Sequence, residues 1–390
     1  MSNDKKLKVA IIGVGNIGSA HAAAIYSGKI PHMCLAALCD SDEQRLTALK
    51  QTYSDVPVFD SAQQLFDSGV AEAVVIATPH YLHPPIAIEA FGRGLHVLTE
   101  KPAGVDCKSA KQMCEAAERS GKVFGVMFNQ RANKLFSAAK RIVSSGELGE
   151  LKRMVWIITN WYRKQCYYDS GNWRATWDGE GGGVLLNQAP HNLDLWQWIC
   201  GMPKTVRAQC NVGKFHSIEV EDEACITAEY ENGASAVFIT STGDYPGTNR
   251  LEITGTMGKL VLENKKLTHF RLSMDEREYR LTDNTVKNPV EISEIDDEPY
   301  NGHCEILENF ASAVLFGTPL LAHGAEALNE LSISNAAYLS AWQDKAVTLP
   351  ADEEQFLCEL SVRRVASSIK NKHGEALEVS DYAERWNTNW

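Results

Sequence analysis

Two short motifs place side chains that could perform acid–base chemistry. One is Glu100-Lys101-Pro102, which follows a predicted strand over residues 95–99. A lysine at the carboxyl end of a parallel strand can hold a fixed positive charge beside a substrate oxygen. The other is His191, whose imidazole suits a general base because its unperturbed pKa is ~6.5. Together they predict a site that removes a proton and stabilises the negative charge left on oxygen.

The segment around His191 constrains how that side chain is positioned. Three consecutive glycines (181–183) cost backbone entropy, so they indicate close approach to a ligand or to another part of the chain. A helix ending at Gly201 would place His191 and Asp194 on one face, where Asp194 orients the imidazole or serves only the structure. If Pro190 is the first helical residue, Asn187 lies in the turn that enters the helix.

A third motif, Gly13-Val14-Gly15-Asn16-Ile17-Gly18, lies between a predicted strand (7–12) and a predicted helix (19–26). Its first glycine permits a tight turn, its second lets the backbone approach a pyrophosphate, and its third brings helix and strand together. Asp40 ends the next predicted strand (33–39), and its carboxylate would bind ribose hydroxyls and repel a 2′-phosphate. The pattern predicts an NAD site, with cofactor contacts from Gly13, Gly15, Asn16, Ile17, Gly18 and Asp40.

Composition limits the classes of partner. The 390 residues carry a net charge of −12, which argues against nucleic acid or an anionic membrane as a partner. No apolar stretch approaches the ~20 residues that span a bilayer, and the N-terminal residues lack the apolar core of a signal peptide. The ten cysteines show no metal-finger spacing. We therefore expect reduced thiols, no metal and a cytoplasmic location.

The order of elements predicts an α/β protein of two domains. Strand and helix signals alternate through residue 128, which predicts a Rossmann doubly wound parallel sheet over residues 1–130. Runs of β character without helices then predict an α+β domain with a large open, mostly antiparallel sheet over 131–350, whose exposed face invites a second subunit. Residues 281–299 are predicted to form an acidic loop. The tail (351–390) is predicted to be partly helical over 353–370 and to pack on the body through Trp386 and Trp390.

These motifs resemble those of the glucose–fructose oxidoreductase, inositol dehydrogenase and rhizopine catabolism (Gfo/Idh/MocA) family of NAD(P)-dependent oxidoreductases, over residues 7–350. The resemblance implies that Lys101 and His191 flank the hydroxyl being oxidised, and that the protein assembles as a homodimer or homotetramer. The residues it places along the cofactor are Thr78, Pro79, His83, Glu100 and Lys101.

One position departs from the family pattern. Many members carry an aspartate four residues before the catalytic histidine, where this chain has Asn187. An amide cannot take up a proton, but it can donate and accept hydrogen bonds with a sugar hydroxyl. We therefore assign Asn187 to substrate binding and proton removal to His191, assisted by Lys101.

The segment 156–177 is several times richer in aromatic side chains than the chain average of 8%. Aromatic faces stack on the C–H faces of sugar rings, and arginines add hydrogen-bond donors. A packed loop or a subunit contact is the alternative explanation. The residues expected to contact substrate are Trp161, Tyr162, Arg163, Trp173, Arg174 and, after the last Rossmann strand, Asn129.

The sequence thus predicts an NAD-dependent dehydrogenase that oxidises a secondary hydroxyl of a sugar, glycoside or cyclitol. C3 of a glucoside-like ring is the preferred position, because the aromatic segment suits a pyranose with an aglycone. Inositol oxidation is the alternative within the class. An NAD-retaining enzyme that cleaves glycosides by oxidation, elimination and reduction would use the same residues, and a non-catalytic NAD sensor would not need Lys101 and His191.

Overall fold

The computed structural model describes residues 5–171 and 173–368, which fall into two compact units. The first unit contains residues up to 132 together with 301–331, and the second contains 133–300 and the residues from 332 onward. The chain therefore returns to the first unit late, a feature absent from the predicted succession of 1–130 and 131–350. The predicted docking of Trp386 and Trp390 lies outside the described residues.

The strands follow the alternation and the β-rich runs of the sequence. They are β1 (Leu7–Ile12), β2 (Met33–Cys39), β3 (Val58–Phe59), β4 (Ala73–Ile76), β5 (His96–Thr99), β6 (Phe124–Val126), β7 (Leu151–Ile158), β8 (Thr205–Val212), β9 (Glu221–Glu229), β10 (Ser235–Ser241), β11 (Asn249–Gly255), β12 (Gly258–Glu263), β13 (Lys266–Leu272), β14 (Val290–Asp296) and β15 (Val347–Thr348).

The helices alternate with these strands, and several begin at a residue whose side chain caps the first turn. They are α1 (Asn16–Tyr26), α2 (Glu43–Thr52), α3 (Ala62–Ser68), α4 (His83–Gly92), α5 (Cys107–Ser120), α6 (Lys134–Ser144), α7 (Gln165–Asp169), α8 (Pro190–Cys200), α9 (Glu276–Tyr279), α10 (Gly302–Phe316), α11 (Ala327–Gln343) and α12 (Glu353–Ala366). Ser61 caps α3 and Asp106 caps α5, each accepting a backbone N–H of the first turn. Among the described residues, no helix is both long and apolar enough to cross a bilayer.

The first unit is built on a six-stranded sheet in the order β3-β2-β1-β4-β5-β6, in which every pair is parallel. Its central strand β4 is buried along its whole length, as expected when helices cover both faces of a sheet. The strand order changes direction beside β1, so the carboxyl ends of β1 and β4 form the ligand-binding edge. This arrangement confirms the predicted Rossmann sheet.

The second unit is built on a nine-stranded sheet in the order β14-β13-β12-β11-β7-β10-β9-β8-β15. All its pairs are antiparallel except β10 with β7. Buried and exposed residues alternate along β9, so one face of the sheet carries the core. The predicted open, mostly antiparallel sheet is confirmed.

The sequence analysis missed two strands of the second unit and extended its last helix too far. Strand β14 lies inside the predicted loop 281–299, and β13 was not predicted at all. Most of β14 is exposed, three of its seven residues are acidic, and its apolar alternation is limited to Val290 and Ile292. The signal for a strand is therefore short, and backbone pairing with β13 completes the strand. Helix α12 ends at Ala366, before the predicted end at 370.

Candidate active site

The glycine turn after β1 has the geometry of a pyrophosphate cradle. Gly13 adopts a φ of 86°, and a Cβ there would lie 2.7 Å from the Ala77 carbonyl oxygen. A Cβ on Gly18 would lie 2.0 Å from the Gly13 carbonyl oxygen, so both positions require glycine for packing. At Gly15 a Cβ would meet nothing within 4 Å, and this residue forms the N-cap of α1 without a side-chain hydrogen bond. The open backbone at the helix N-terminus therefore fits a dinucleotide phosphate.

Asp40, at the end of β2, is buried and hydrogen-bonded on several sides. Its carboxylate accepts hydrogen bonds from the Val14 backbone N–H at 2.7 Å and from the Arg45 guanidinium at 3.0 Å. It also accepts the Asp42 backbone N–H at 3.1 Å. Asp40 thus fixes the glycine turn and lies at the position where the sequence predicts ribose binding. Its ion pair also brings Arg45, which sequence reasoning missed, to that position.

The Thr78-Pro79 turn after β4 is tied to the lysine motif by His83. The two ring nitrogens of His83 lie 2.7 Å from the carbonyl oxygens of Pro102 and Thr78. Burial lowers the pKa of His83, so the ring is neutral and donates to one of these carbonyls at a time. His83 is fully buried, which makes it a support for the two turns; contacts of Thr78, Pro79 and His83 with the cofactor stay predictions.

Glu100, immediately before Lys101, is held by a buried histidine. Its Oε1 lies 2.7 Å from Nε2 of His21 on α1, and its Oε2 accepts the Lys101 backbone N–H at 3.3 Å. Burial opposes the charge on Glu100, but the hydrogen bond and charge of His21, with the charges of His303 and Lys101, lower its pKa overall. The carboxylate therefore stays ionised and anchors the backbone that carries Lys101.

Asn129 lies in the first unit beside the same histidine cluster. Its amide nitrogen is 3.3 Å from Nδ1 of His303, whose ring is 5.6 Å from that of His21. Burial lowers the pKa of His303 to about 4, so this ring is neutral at physiological pH. A contact between Asn129 and substrate stays a prediction.

In the second unit, packing within the chain explains the glycines before α8. A Cβ on Gly183 would lie 1.9 Å from the Glu221 carbonyl oxygen, and one on Gly182 would lie 2.2 Å from the Tyr338 hydroxyl. Of the two explanations that the sequence left open, close approach to another chain segment therefore accounts for both residues. The segments concerned are β9 and α11, which are distant in sequence.

Glu221 is a buried carboxylate that sequence reasoning missed. It accepts hydrogen bonds from the backbone N–H groups of Gly183 and Leu185 and from the Tyr338 hydroxyl, the last at 2.7 Å. Burial raises its pKa to about 7, although these three donors favour the ionised form. The carboxylate holds the turn that leads to His191. In the sequence Glu221 is one of several acidic residues between 219 and 223, and nothing in that pattern distinguishes it as buried.

Helix α8 begins at Pro190, so Asn187 lies in the turn entering the helix. His191 and Asp194 follow in the first turns, three positions apart and therefore on one face, and both are buried. The Asp194 carboxylate accepts a hydrogen bond from the Gln197 side chain at 3.0 Å.

Asn187 is partly exposed and its amide contacts a buried carboxylate. The Asn187 side-chain nitrogen donates to Glu180 Oε1, and Glu180 Oε2 accepts the Ala175 backbone N–H at 2.5 Å. Only 2% of Glu180 is exposed. Sequence reasoning missed Glu180, although it directly precedes the glycine run.

The aromatic segment divides into buried and exposed parts. Trp161 is buried with its indole N–H donating to the Asn192 side chain, and Trp177 packs edge-on against Tyr338 and Trp342. For these two the packed-loop alternative fits better, and a substrate contact of Trp161 stays a prediction.

The remaining predicted substrate residues are more accessible. Tyr162 is exposed, and its ring centroid lies 5.2 Å from that of Tyr245, which is also exposed. The Arg174 guanidinium lies 4.6 Å from the Trp173 ring centroid, and that of Arg163 lies 5.2 Å from the Tyr167 ring centroid. The arginines are thus held against aromatic faces.

The first unit has a parallel sheet with an open glycine turn, and the second has a large open sheet and the helix α8 with His191. This combination is typical of a Rossmann-type oxidoreductase. Comparison with known proteins gives the family. Residues 7–128 match the model of the oxidoreductase family with an NAD-binding Rossmann fold, and residues 136–261 match the GFO/IDH/MocA C-terminal domain. The chain belongs to the Gfo/Idh/MocA family, and its cofactor is NAD.

Several named relatives are similar to this chain over much of its length. D-Glucoside 3-dehydrogenase of Escherichia coli is 29% identical over 58% of this chain and 68% of its own length. The scyllo-inositol 2-dehydrogenase (NAD(+)) of Bacillus subtilis is 22% identical over 86% of this chain and 94% of its own. The WlbA dehydrogenase from Bordetella pertussis, solved with NADH and UDP-GlcNAcA, has a TM-score of 0.75 and 26% identity over 89% of this chain and 100% of its own. The protein is an NAD-dependent oxidoreductase of a family whose named members act on sugars and cyclitols.

Proposed function

We propose that this protein oxidises a secondary hydroxyl of a sugar, glycoside or cyclitol to the ketone, with C3 of a glucoside-like ring as the preferred position. The observation that carries the proposal is the turn into α8, which sets a buried carboxylate, a partly exposed amide and the His191 imidazole within one short segment. Such a set of acceptors and donors suits a polyhydroxylated ring. The D-glucoside 3-dehydrogenase relative supports the choice of C3.

In the proposed reaction His191 removes the proton of the substrate hydroxyl. Lys101 polarises the same oxygen and stabilises the negative charge that develops on it. The glycine turn and Asp40 would hold NAD+, which when bound would supply the acceptor for the hydride. The net reaction would convert the alcohol and NAD+ to the ketone, NADH and a proton. Glu100 and His21 fix the backbone of Lys101, while Glu221 fixes the turn before His191.

The exposed aromatic pair Tyr162 and Tyr245 supports a substrate with a second ring or an aglycone. Their ring faces offer apolar surface of the kind that stacks on sugars, and Arg163 and Arg174 add donors nearby. This feature favours a glycoside over free inositol within the proposed class.

We also propose that the protein assembles as a homodimer or homotetramer. Strand β14 is an exposed edge with Val290 and Ile292 at its surface, and such an edge invites pairing with a second copy. Light scattering of the purified protein measures the oligomeric state, and a monomer would contradict this part of the proposal.

Purified protein tested with NAD against cyclitols, aldoses and glycosides measures the activity through the absorbance of NADH. We expect NADH to accumulate with a glucoside, and His191→Ala and Lys101→Ala each to lower kcat/KM by about 10²- to 10⁴-fold. Release of the aglycone without net NADH would instead indicate the oxidation–elimination–reduction cycle. Unchanged turnover in both variants would contradict the proposed roles.

A further inference from the structure

A loop between β8 and β9, residues 213–217, is built around a buried carboxylate that the proposed reaction does not use. Asp222 is completely buried, and its side chain accepts the backbone N–H groups of Lys214 at 3.0 Å, Phe215 at 2.8 Å and His216 at 2.9 Å. The same carboxylate lies 3.1 Å from Nδ1 of the His216 ring. One side chain therefore fixes both the backbone of the 213–217 loop and the His216 ring.

His216 joins this loop to the aromatic segment next to Tyr162. Its Nε2 lies 2.8 Å from the carbonyl oxygen of Arg163. A carbonyl oxygen only accepts hydrogen bonds, so Nε2 carries a proton and donates it whatever the charge of the ring. The His216 ring also packs against Tyr168, with the ring centroids 4.9 Å apart. The backbone that follows Tyr162 is therefore held by the 213–217 loop.

Phe215 joins the same loop to the turn that carries Tyr245. A Cβ on Gly243 would collide with the Phe215 ring, so this glycine lets the ring pack directly against the backbone two residues before Tyr245. The turn is also held by Thr242, whose N–H donates to the Asp222 carbonyl at 2.9 Å. The 213–217 loop thus contacts both segments that carry the exposed aromatic pair.

We propose that Asp222 and His216 are positioning residues that hold Tyr162 and Tyr245 at the separation that binds the second ring or aglycone of a glycoside. The inference rests on the proposed function and deepens it, because it names residues outside the aromatic pair that set the preference for such a substrate. Both residues act through the two tyrosines, so they affect substrate binding and not hydride transfer.

The separation of the two tyrosines depends on the backbone because neither ring is fixed by core packing. Tyr162 is 40% exposed and Tyr245 is 83% exposed, and their rings meet at an interplanar angle of 50°. Side chains that extend from a held backbone lose less conformational entropy when a ligand stacks on them. A loosened 213–217 loop would therefore weaken binding of the group that lies on the aromatic pair.

The first test is His216→Phe, which keeps a ring against Tyr168 but removes the contacts with Asp222 and the Arg163 carbonyl. We expect KM for a glucoside with an aromatic aglycone to rise about threefold, with kcat unchanged. KM for the aldose without the aglycone should stay the same. An equal rise in KM for both substrates, or a fall in kcat alone, would overturn the inference.

Two further variants reach the loop from other sides. Both carboxylate oxygens of Asp222 accept a backbone N–H, so in Asp222→Asn the amide nitrogen faces a donor in either orientation. Phe215→Ala removes a side chain that is 45% exposed, so the chain keeps its fold while the contact with Gly243 is lost. We expect both variants to show the same selective rise in KM, and normal KM values in Phe215→Ala would contradict the proposed hold on Tyr245.

A double-mutant cycle shows whether His216 acts through the aromatic pair. Tyr245→Ala and His216→Phe are each expected to raise KM for the glucoside about threefold, and the combined variant should raise it no further than Tyr245→Ala alone. A rise of about ninefold, the product of two independent effects, would overturn the inference.

The matched control is His269→Phe. His269 is another buried histidine of the second unit, but it lies on β13, and four strands separate β13 from β9 in the sheet. We expect unchanged KM values for both substrates. Thermal unfolding of every variant identifies any that have lost structure, and a selective rise in KM in His269→Phe would contradict the specific role of His216.

Hydrogen exchange measures the hold of the loop on the two segments without any substrate. In His216→Phe we expect faster amide exchange over residues 161–168, and in His269→Phe we expect none of this change. Unchanged exchange in His216→Phe would overturn the inference. Failure of the proposed function has a different signature, because the unmodified protein would then form no NADH with any sugar, glycoside or cyclitol, while exchange would still decide whether the loop holds the two segments.

Discussion

The two glycine motifs of this protein use the same residue for opposite reasons. In the first unit, the open side of Gly15 leaves backbone free for a ligand, while Gly13 and Gly18 serve the turn. In the second unit, a Cβ on Gly182 would collide with Tyr338 and one on Gly183 would collide with Glu221. A glycine run beside a histidine proposed to be catalytic therefore does not by itself mark where substrate approaches. Here the run lets a distant strand and a distant helix support the turn.

Alanine substitution of one glycine in each motif tests this contrast most strongly. Gly183→Ala places a Cβ against the Glu221 backbone, which cannot move aside, so we expect a loss of about 3 kcal/mol or more in unfolding free energy. Gly15→Ala meets no atom, so we expect stability within about 0.5 kcal/mol of the unmodified protein and a large loss of NAD affinity. Urea unfolding and calorimetric titration with NAD measure the two effects, and a stable Gly183→Ala protein would refute the packing explanation.

The pH dependence of the unfolding free energy tests the role of Glu221, which supports the turn of the second glycine motif. Glu221 has a pKa of about 7 in the folded protein because it is buried, against 4.5 ordinarily. Its contribution to stability is present below pH 4.5 and is lost as pH rises through about 7, by about 3 kcal/mol in all. We expect Glu221→Gln to lack this loss, so the unfolding free energies of the two proteins should diverge between pH 5 and pH 8. Parallel profiles would contradict the raised pKa.

The preference for NAD over NADP tests the role of Asp40 beside the first glycine motif. Asp40→Asn keeps an acceptor for the Val14 N–H but removes the charge, and it releases Arg45 from its ion pair. We expect about a tenfold loss of NAD affinity and a gain in NADP affinity. In Asp40→Asn/Arg45→Gln the gain in NADP affinity should disappear, because Arg45 is the group expected to meet the 2′-phosphate. Efficient use of NADP by the unmodified protein would contradict the role of Asp40.

The smallest expected effect lies at the exposed aromatic pair. Removing the ring in Tyr245→Ala should raise KM for a glycoside with a bulky aglycone about threefold and leave kcat unchanged. Tyr26→Ala removes another exposed tyrosine, from the first unit, and serves as the control, with no expected change in KM. Equal changes in KM in the two variants would show that the aromatic pair does not contact the substrate.

Sequence reasoning succeeded where function depends on neighbours in the chain. The strand–turn–helix around Gly13, the acidic end of β2 and the position of Lys101 after β5 are local patterns, and a parallel sheet carries such strand ends to one edge. The prediction that Asn187 precedes the helix if Pro190 begins it followed in the same way from a local rule and is confirmed.

Sequence reasoning failed where a residue or strand depends on contacts with segments far away in the chain. Strand β14 has only a short apolar alternation, at Val290 and Ile292, among acidic residues, and it pairs with β13. Neither Glu221 nor Glu180 belongs to a local sequence pattern that predicts a buried carboxylate. In the aromatic segment, composition could not separate the buried Trp161 and Trp177 from the accessible Tyr162, because burial depends on what packs against each ring.

The sequence by itself determined the fold class, the NAD turn and the two side chains proposed to handle the proton and the oxygen, because each depends on spacing along a few tens of residues. Only the tertiary structure decided why the glycines at 182 and 183 are there, which carboxylates are buried, and which of those carboxylates the Asn187 amide contacts. Those properties depend on contacts between residues far apart in the chain, and the desolvation of a charge or the closeness of two backbones exists only once those segments have packed.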